Sequence, residues 1–168
     1  MKCTVLMIVC VGLVGCIQTT QTKPVYNMTT EFKHEDFLWS KAEGKGTITG
    51  QAFLRTRGGD VKTCAGSEVI AVPDNAYTRE SRTAALTNQY SDIRWSPHYY
   101  DYRRKVTCDA QGRFTFRNLP AGKWGVGTRV FWEAPTGRGL ETQGGGLAQF
   151  VTLEEGQTVE IIMSDKDR

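Results

Sequence analysis

The sequence predicts an all-β protein: an antiparallel β-sandwich of about seven strands, carried on an N-terminal tether and interrupted by one long insertion. Three observations carry that expectation. From Gly46 onward apolar and polar residues alternate at period two, the pattern of strands that bury one face. Turn-forming runs punctuate the alternation at Asp109-Ala110-Gln111-Gly112, Leu119-Pro120-Ala121-Gly122 and Glu154-Glu155-Gly156-Gln157, where Asp, Pro and Gly supply the local bonds and dihedrals that turns need. Helical periodicity is sparse, so the apolar faces of the strands must cover one another. A chain of 168 residues, 39% hydrophobic and 23% charged, suits one domain and excludes a disordered, collagen-like or multi-pass membrane protein. Its formal charge of +3 is too mild to imply a nucleic-acid partner.

The N-terminus sets the expected compartment. Lys2 gives a positive start, and the run from Thr4 to Val14 is almost wholly apolar. It is too short to cross a hydrocarbon layer of about 30 Å as a helix and fits the apolar core of a secretory signal. The run closes on Leu13-Val14-Gly15-Cys16, which resembles the lipobox of bacterial lipoproteins. That resemblance implies a signal peptide over residues 1–15, removed before Cys16, with a diacylglyceryl group on the Cys16 thiol and an acylated amine. The alternative is an ordinary signal with a chance cysteine. One acyl chain holds a membrane only marginally, whereas two or three, at about 0.8 kcal/mol per buried CH₂, anchor stably. The implied partner is thus a membrane, reached through Cys16, and the implied address is the bacterial cell envelope. Ile17 follows the anchor; in enterobacterial lipoproteins an Asp at that place retains the protein at the inner membrane. Its absence points to the outer membrane, facing the periplasm.

With Cys3 and Cys10 leaving in the signal and Cys16 lipidated, Cys64 and Cys108 remain. An exported compartment permits disulfides, so a structural Cys64–Cys108 bridge is expected; two buried free thiols are the alternative. A zinc site is not expected, because the chain lacks Cys-x-x-Cys and only His34 and His98 could assist.

Residues 16–45 read as anchor and tether. The stretch from Ile17 to Met28 is polar and threonine-rich, a flexible leash with a reach of roughly 20 Å. The following segment, from Thr30 to Trp39, mixes charge with Phe32, Phe37 and Trp39. It suits either a short helix or an extended piece packed on the domain, with His34 a solvated polar residue. The sandwich itself is expected over residues 46–168. Its first strand, from Gly46 to Leu54, places Ile48, Ala52 and Leu54 on one face. Glu68 to Val72 is short and β-branched, and Phe114 and Phe116 flank Thr115. Trp124, Val126, Val130 and Trp132 fall at even spacing, opposite Lys123, Arg129 and Glu133. Gln149 to Leu153 and Thr158 to Met163 read as strands joined by a hairpin turn. Gly144-Gly145-Gly146 lacks the strand–helix context of a phosphate loop and reads as a mobile hairpin.

The run from Thr107 to Trp124, with Asp109, Gly112, Phe114, Phe116, Leu119, Pro120 and Gly122 in order, resembles the T-D-x-x-G-x-F-x-F-x-x-L-P-x-G-x-Y signature of carboxypeptidase regulatory-like domains. Gly46-Thr47-Ile48-Thr49-Gly50-Gln51-Ala52 is similar to the opening strand of that family, and the resemblance spans about 46–72 and 106–163. It implies a transthyretin-like, or prealbumin-like, seven-stranded sandwich, and a non-catalytic accessory role. In that topology Cys64 precedes a descending strand and Cys108 follows an ascending one, so both lie at one end. The insertion then lies at the other end, where the tether enters.

That insertion runs from Pro73 to Lys105, a length at which connections are usually functional or disordered. Asp74 is placed to cap a short helix through Glu80 to Leu86. The candidate binding surface is Tyr90, Arg94, Trp95, His98, Tyr99, Tyr100, Tyr102 and Arg103, since exposed aromatic and Arg side chains are the types that dominate contacts. The alternative is that several of these aromatics, with Tyr77, close one end of the core. Arg103-Arg104-Lys105 reads as a solvated strand start.

Catalytic motifs are missing: no Gly-x-Ser-x-Gly elbow, no His-Glu-x-x-His and no Cys/His dyad with local context. Intradiol dioxygenases, on a related sandwich, hold ferric iron with two Tyr and a His-x-His pair, whereas His34 and His98 are far apart in sequence. Hydroxyisourate hydrolases end in Tyr-Arg-Gly-Ser; this sequence ends Ser164-Asp165-Lys166-Asp167-Arg168. A ligand carried between the sheets is disfavoured because a small sandwich fills its own core. The expectation is a non-catalytic binding or scaffolding module without cofactor, whose partner is an envelope protein or cell-wall component. A metal-dependent or other enzyme using the tyrosines and His98 of the insertion is the alternative.

Overall fold

The computed structural model describes residues 23–168 apart from Asn88 and Arg138; the expected signal peptide, Cys16 and the part of the expected tether before Lys23 lie outside the described residues. In chain order the elements are β1 (Val25–Asn27), β2 (Gly46–Arg55), β3 (Val61–Thr63), β4 (Glu68–Pro73), α1 (Ala76–Leu86), β5 (Asp92–Arg94), β6 (Arg104–Thr107), β7 (Arg113–Leu119), β8 (Gly122–Thr136), β9 (Gly139–Leu153) and β10 (Thr158–Met163). Short 3-10 turns sit at His34–Asp36, Leu38–Lys41, Pro97–Tyr102 and Asp165–Asp167.

The fold is an all-β sandwich. One sheet sets β2 between β10 and β7, with β3 taking the end of β2 at Phe53–Arg55; the other runs β6-β4-β8-β9. Seven principal strands plus the three-residue β3 match the expected architecture. Pairing is antiparallel throughout the second sheet, while β10 joins β2 in parallel. Alternation decides which faces meet. Ile48, Ala52, Leu54, Phe114, Phe116, Leu119, Ile161 and Met163 come from one sheet. Val69, Ala71, Trp124, Val126, Val130, Leu147 and Leu153 come from the other. Each large apolar side chain so buried is worth roughly 1.5–3 kcal/mol of transfer free energy. Gly50 is required in this row, since a Cβ there would strike the Ile161 carbonyl and the Phe114 ring.

Two expectations about the last strands are corrected. The Glu154–Gln157 turn does form, with the Gln157 N–H donating to the Glu154 carbonyl at 3.1 Å and Gly156 at φ +72. It makes no hairpin, however: β10 crosses to the opposite sheet and pairs with β2. That crossing brings Ile161 and Met163 into the core from the facing side. Nor do Gly144, Gly145 and Gly146 form a loose tip. They lie inside β9, opposite Phe131, Val130 and Arg129. Gly144, at φ +113, approaches the Val130 carbonyl too closely for any Cβ, and the Arg168 guanidinium donates to its carbonyl at 2.7 Å. The partner β4 pairs with β8 only as far as Gly127, so the outer half of the β8–β9 hairpin continues as a two-stranded ribbon.

Cys64 and Cys108, 44 residues apart, are joined in a disulfide whose Cα atoms are 5.8 Å apart. Both are buried in the core. The turn after Cys108 forms as expected: the Asp109 carboxylate accepts from the N–H groups of Gln111 (2.9 Å) and Arg113 (2.8 Å), and Gly112 takes φ +76. The bridge stands where β4 begins and β6 ends, and the insertion starts at the opposite end of β4. In the chain-entropy description, closing such a loop stabilises the fold by roughly 4 kcal/mol.

Candidate binding site at the insertion end

The insertion is a folded layer. After Pro73 the helix α1 starts at Ala76, capped by Asn75: the Asn75 Oδ1 accepts from the Thr78 N–H and the Thr78 hydroxyl accepts from the Asn75 N–H, each at 3.0 Å. The expected cap was Asp74, one residue earlier. Asp74 instead holds the Arg79 guanidinium through two bonds of 2.6 and 2.7 Å, which takes its carboxylate away from the helix N–H groups.

The leash expected through Met28 is also corrected. Val25–Asn27 forms β1 and pairs in parallel with β5. Glu80 of α1 fastens this pair. Its carboxylate accepts from the Tyr26 hydroxyl (2.8 Å), the Thr29 N–H and hydroxyl (both 2.7 Å) and the Thr30 N–H (2.7 Å). Partial burial alone would raise the Glu80 pKa, but the bonds from Thr30 and Thr29 outweigh it and hold the group down to about 2. Donating to the Glu80 carboxylate in turn pushes the Tyr26 hydroxyl pKa up.

Beneath the insertion lies a second, aromatic core: Phe37, Val72, Tyr77, Tyr99 and Tyr102, with Met28, Phe32 and Trp95 packed against it. Ala71 faces the sandwich interior while its neighbour Val72 belongs to this cluster, so β4 is apolar on both sides here. Phe32 stacks on Phe37 at 4.7 Å between centroids, and Trp95 on Tyr99 at 4.5 Å. The Ser96 N–H donates to the Tyr77 hydroxyl at 2.7 Å. Burial pushes the Tyr77 and Tyr99 hydroxyls above the usual tyrosine range. The adjacent turn at Leu38–Lys41 closes the sandwich end, with the Trp39 ring edge-on to Trp124 at 5.0 Å.

This layer sorts the eight candidate residues. Tyr99 and Tyr102 are 3% and 5% exposed and belong to the second core. Trp95 is half-buried on Tyr99, and Tyr90 is half-buried edge-on to Tyr26. Arg94 and His98 are exposed. Tyr100 is 47% exposed, with the half-buried Arg103 guanidinium 4.5 Å from its ring centre. The two histidines, distant in sequence, meet: their ring centroids are 4.9 Å apart. The His34 Nδ1 also lies 3.0 Å from the Tyr102 hydroxyl, so His34 is partnered as well as exposed. Among the described residues no group of three or more His, Cys, Asp or Glu side chains is disposed to hold a metal ion.

Beside Tyr102 opens a groove of about 270 Å³, lined by Ser40, Lys41, Asp101, Tyr102, Arg103 and Arg104. The sequence does not single out Ser40, Lys41, Asp101 or Arg104 here. Arg104 was visible only within a basic run, and Ser40 and Lys41 follow Trp39 with no pattern that joins them to the insertion.

The molecule is thus a sandwich closed at one end by an aromatic layer, with a polar groove beside it. No protein-family model matches the chain, and no curated protein matches it. Among solved structures it is similar to a Pseudomonas aeruginosa protein described as a "putative carbohydrate binding protein", with a TM-score of 0.70 and 22% identity over 80% of this chain and 98% of that one. At that identity the likeness is one of fold.

Proposed function

We propose that the chain is a non-catalytic binding module, anchored to the bacterial envelope through lipidated Cys16, that takes a carbohydrate of the cell wall or cell surface at its insertion end. The observation that carries this reading is the construction of that end. Three separate stretches, the N-terminal segment, α1 and the turn at Pro97–Tyr102, converge on one aromatic core. That core holds Tyr100, His98 and Arg103 at the surface beside the groove. Aromatic rings offer flat apolar faces with polar groups at their rims, the combination that suits a sugar with its mixed faces. The fold shared with the Pseudomonas protein supports the same ligand class, and the Cys64–Cys108 bridge suits an exported protein. The resemblance to carboxypeptidase regulatory-like domains agrees with a module that binds without catalysing.

Two experiments test the reading. Radiolabelled palmitate should enter the wild-type chain and not Cys16→Ser, which should leave the membrane fraction; label retained by the variant contradicts the anchor. Crosslinking in intact envelopes, followed by pull-down of the lipidated protein, should recover wall or surface carbohydrate, and recovery of none contradicts the ligand class. The juxtaposed His34, His98 and Tyr102 favour the enzyme alternative, and stoichiometric metal in the purified protein would support it.

A further inference from the structure

The groove holds an excess of positive charge over negative among its lining residues. Lys41, Arg103 and Arg104 contribute to its walls and Asp101 is the acidic residue among the six. None of the three cations forms an ion pair with a described carboxylate, whereas the next residue along, Lys105, is matched by Glu68 at 3.0 Å. Asp101 itself lies 3.8 Å from His98. The cations are held by other means. The Lys41 Nζ sits 4.5 Å from the Tyr102 ring centre, Arg103 sits at 4.5 Å from that of Tyr100, and the Arg104 Nη2 donates to the Ser40 carbonyl at 2.9 Å. The Arg103 Nε is buried and has no hydrogen-bond partner among the described residues. A buried donor left unbonded is unfavourable, and like charges gathered on one wall repel. An anion in the groove offsets that repulsion, and charge-assisted bonds to guanidinium groups are the strong ones.

We propose that this groove is the subsite for the anionic group, a carboxylate or a phosphate, of an acidic saccharide whose ring rests beside Tyr100. This rests on the carbohydrate reading above and narrows it to charged sugars. Titration calorimetry on the detergent-solubilised full chain tests it with four probes: a glucuronate oligomer, glucose 6-phosphate, a neutral glucose oligomer and inorganic phosphate. Both acidic sugars should bind about tenfold tighter than the neutral one. That preference should weaken in high salt and vanish in Lys41→Gln/Arg103→Gln. Lys105→Gln, outside the groove, should keep it. Should the double variant fail to fold, Lys41→Gln alone, an exposed position, should remove part of the preference. Neutral and acidic sugars binding equally, or a preference indifferent to the substitutions, overturns the groove assignment and leaves the carbohydrate reading standing. Binding of none of the sugars removes both. Inorganic phosphate binding as tightly as glucose 6-phosphate overturns the saccharide assignment and leaves a simple anion site.

Discussion

The molecule has two apolar cores, and they are built by opposite means. The sandwich core is assembled from strands, each delivering every second residue inward, and is pinned by the Cys64–Cys108 bridge at one end. The aromatic core at the other end has no periodic source. Phe32 and Phe37 come from the N-terminal segment, Tyr77 from α1, and Trp95, Tyr99 and Tyr102 from the stretch before β6. The first kind of core follows from local geometry. The second depends on distant segments meeting, and there the surface residues proposed for binding are mounted. A rigid scaffold carrying a separately packed end is a common way to position a binding surface.

The comparison can be broken most forcefully from the sandwich side. Trp124 is fully buried between the sheets, so Trp124→Ala should lower global stability by about 4 kcal/mol and melt both cores together in denaturant unfolding. Phe37→Ala removes a fully buried ring from the aromatic core and should cost about 3 kcal/mol. Hydrogen exchange should then speed up in β1, α1 and β5 while the amides of β2 and β8 keep their protection. Uniform acceleration would show one cooperative unit instead of two. The double variant Cys64→Ser/Cys108→Ser should lose roughly 2–4 kcal/mol, and unchanged melting would deny the bridge its structural role. The smallest effect concerns Glu80. Its pKa is about 2 in the folded chain against an ordinary 4.5, so the ionised form contributes its stabilisation fully above about pH 4.5 and loses it as pH falls toward 2. Exchange at Val25–Asn27 should quicken over that acid range, and Glu80→Gln should quicken it at neutral pH without moving the main transition.

Much of the first core was legible in the sequence, because period-two alternation is a local signal: Ile48, Ala52, Leu54, Phe114, Phe116, Trp124 and Val126 all lie where it put them. The turn at 154–157 was legible as a reversal only. Turn chemistry says that the chain bends and leaves open which sheet receives it, so the parallel β10–β2 pair was out of reach. Asp74 and Asn75 are both competent helix caps, and the choice between them was made by Arg79, which claims the Asp74 carboxylate. Gly144 looked like loop composition because its reason, close approach to the Val130 carbonyl, is tertiary. The candidate site was half legible. Tyr and Arg enrichment marked the right stretch, yet composition could not tell Tyr99 and Tyr102, which are core, from Tyr100, which is surface. No local pattern could pair His34 with His98 or bring Lys41 beside Arg104. For the same reason, replacing the stretch from Asp74 to Arg104 with a Gly/Ser linker is a poor probe of function. It would remove Tyr77, Tyr99 and Tyr102 and uncover Phe37 and Val72, so point substitutions at exposed positions are the cleaner test.

The most direct test of the account is co-sedimentation of the full chain with insoluble cell-wall polysaccharide, wild type beside Tyr100→Ala/Arg103→Ala, with circular dichroism to confirm that both are folded. The wild type should sediment with the polysaccharide, and the double variant, equally folded, should stay at least about tenfold more in solution. Equal sedimentation of the two proteins, or none by either, would contradict it.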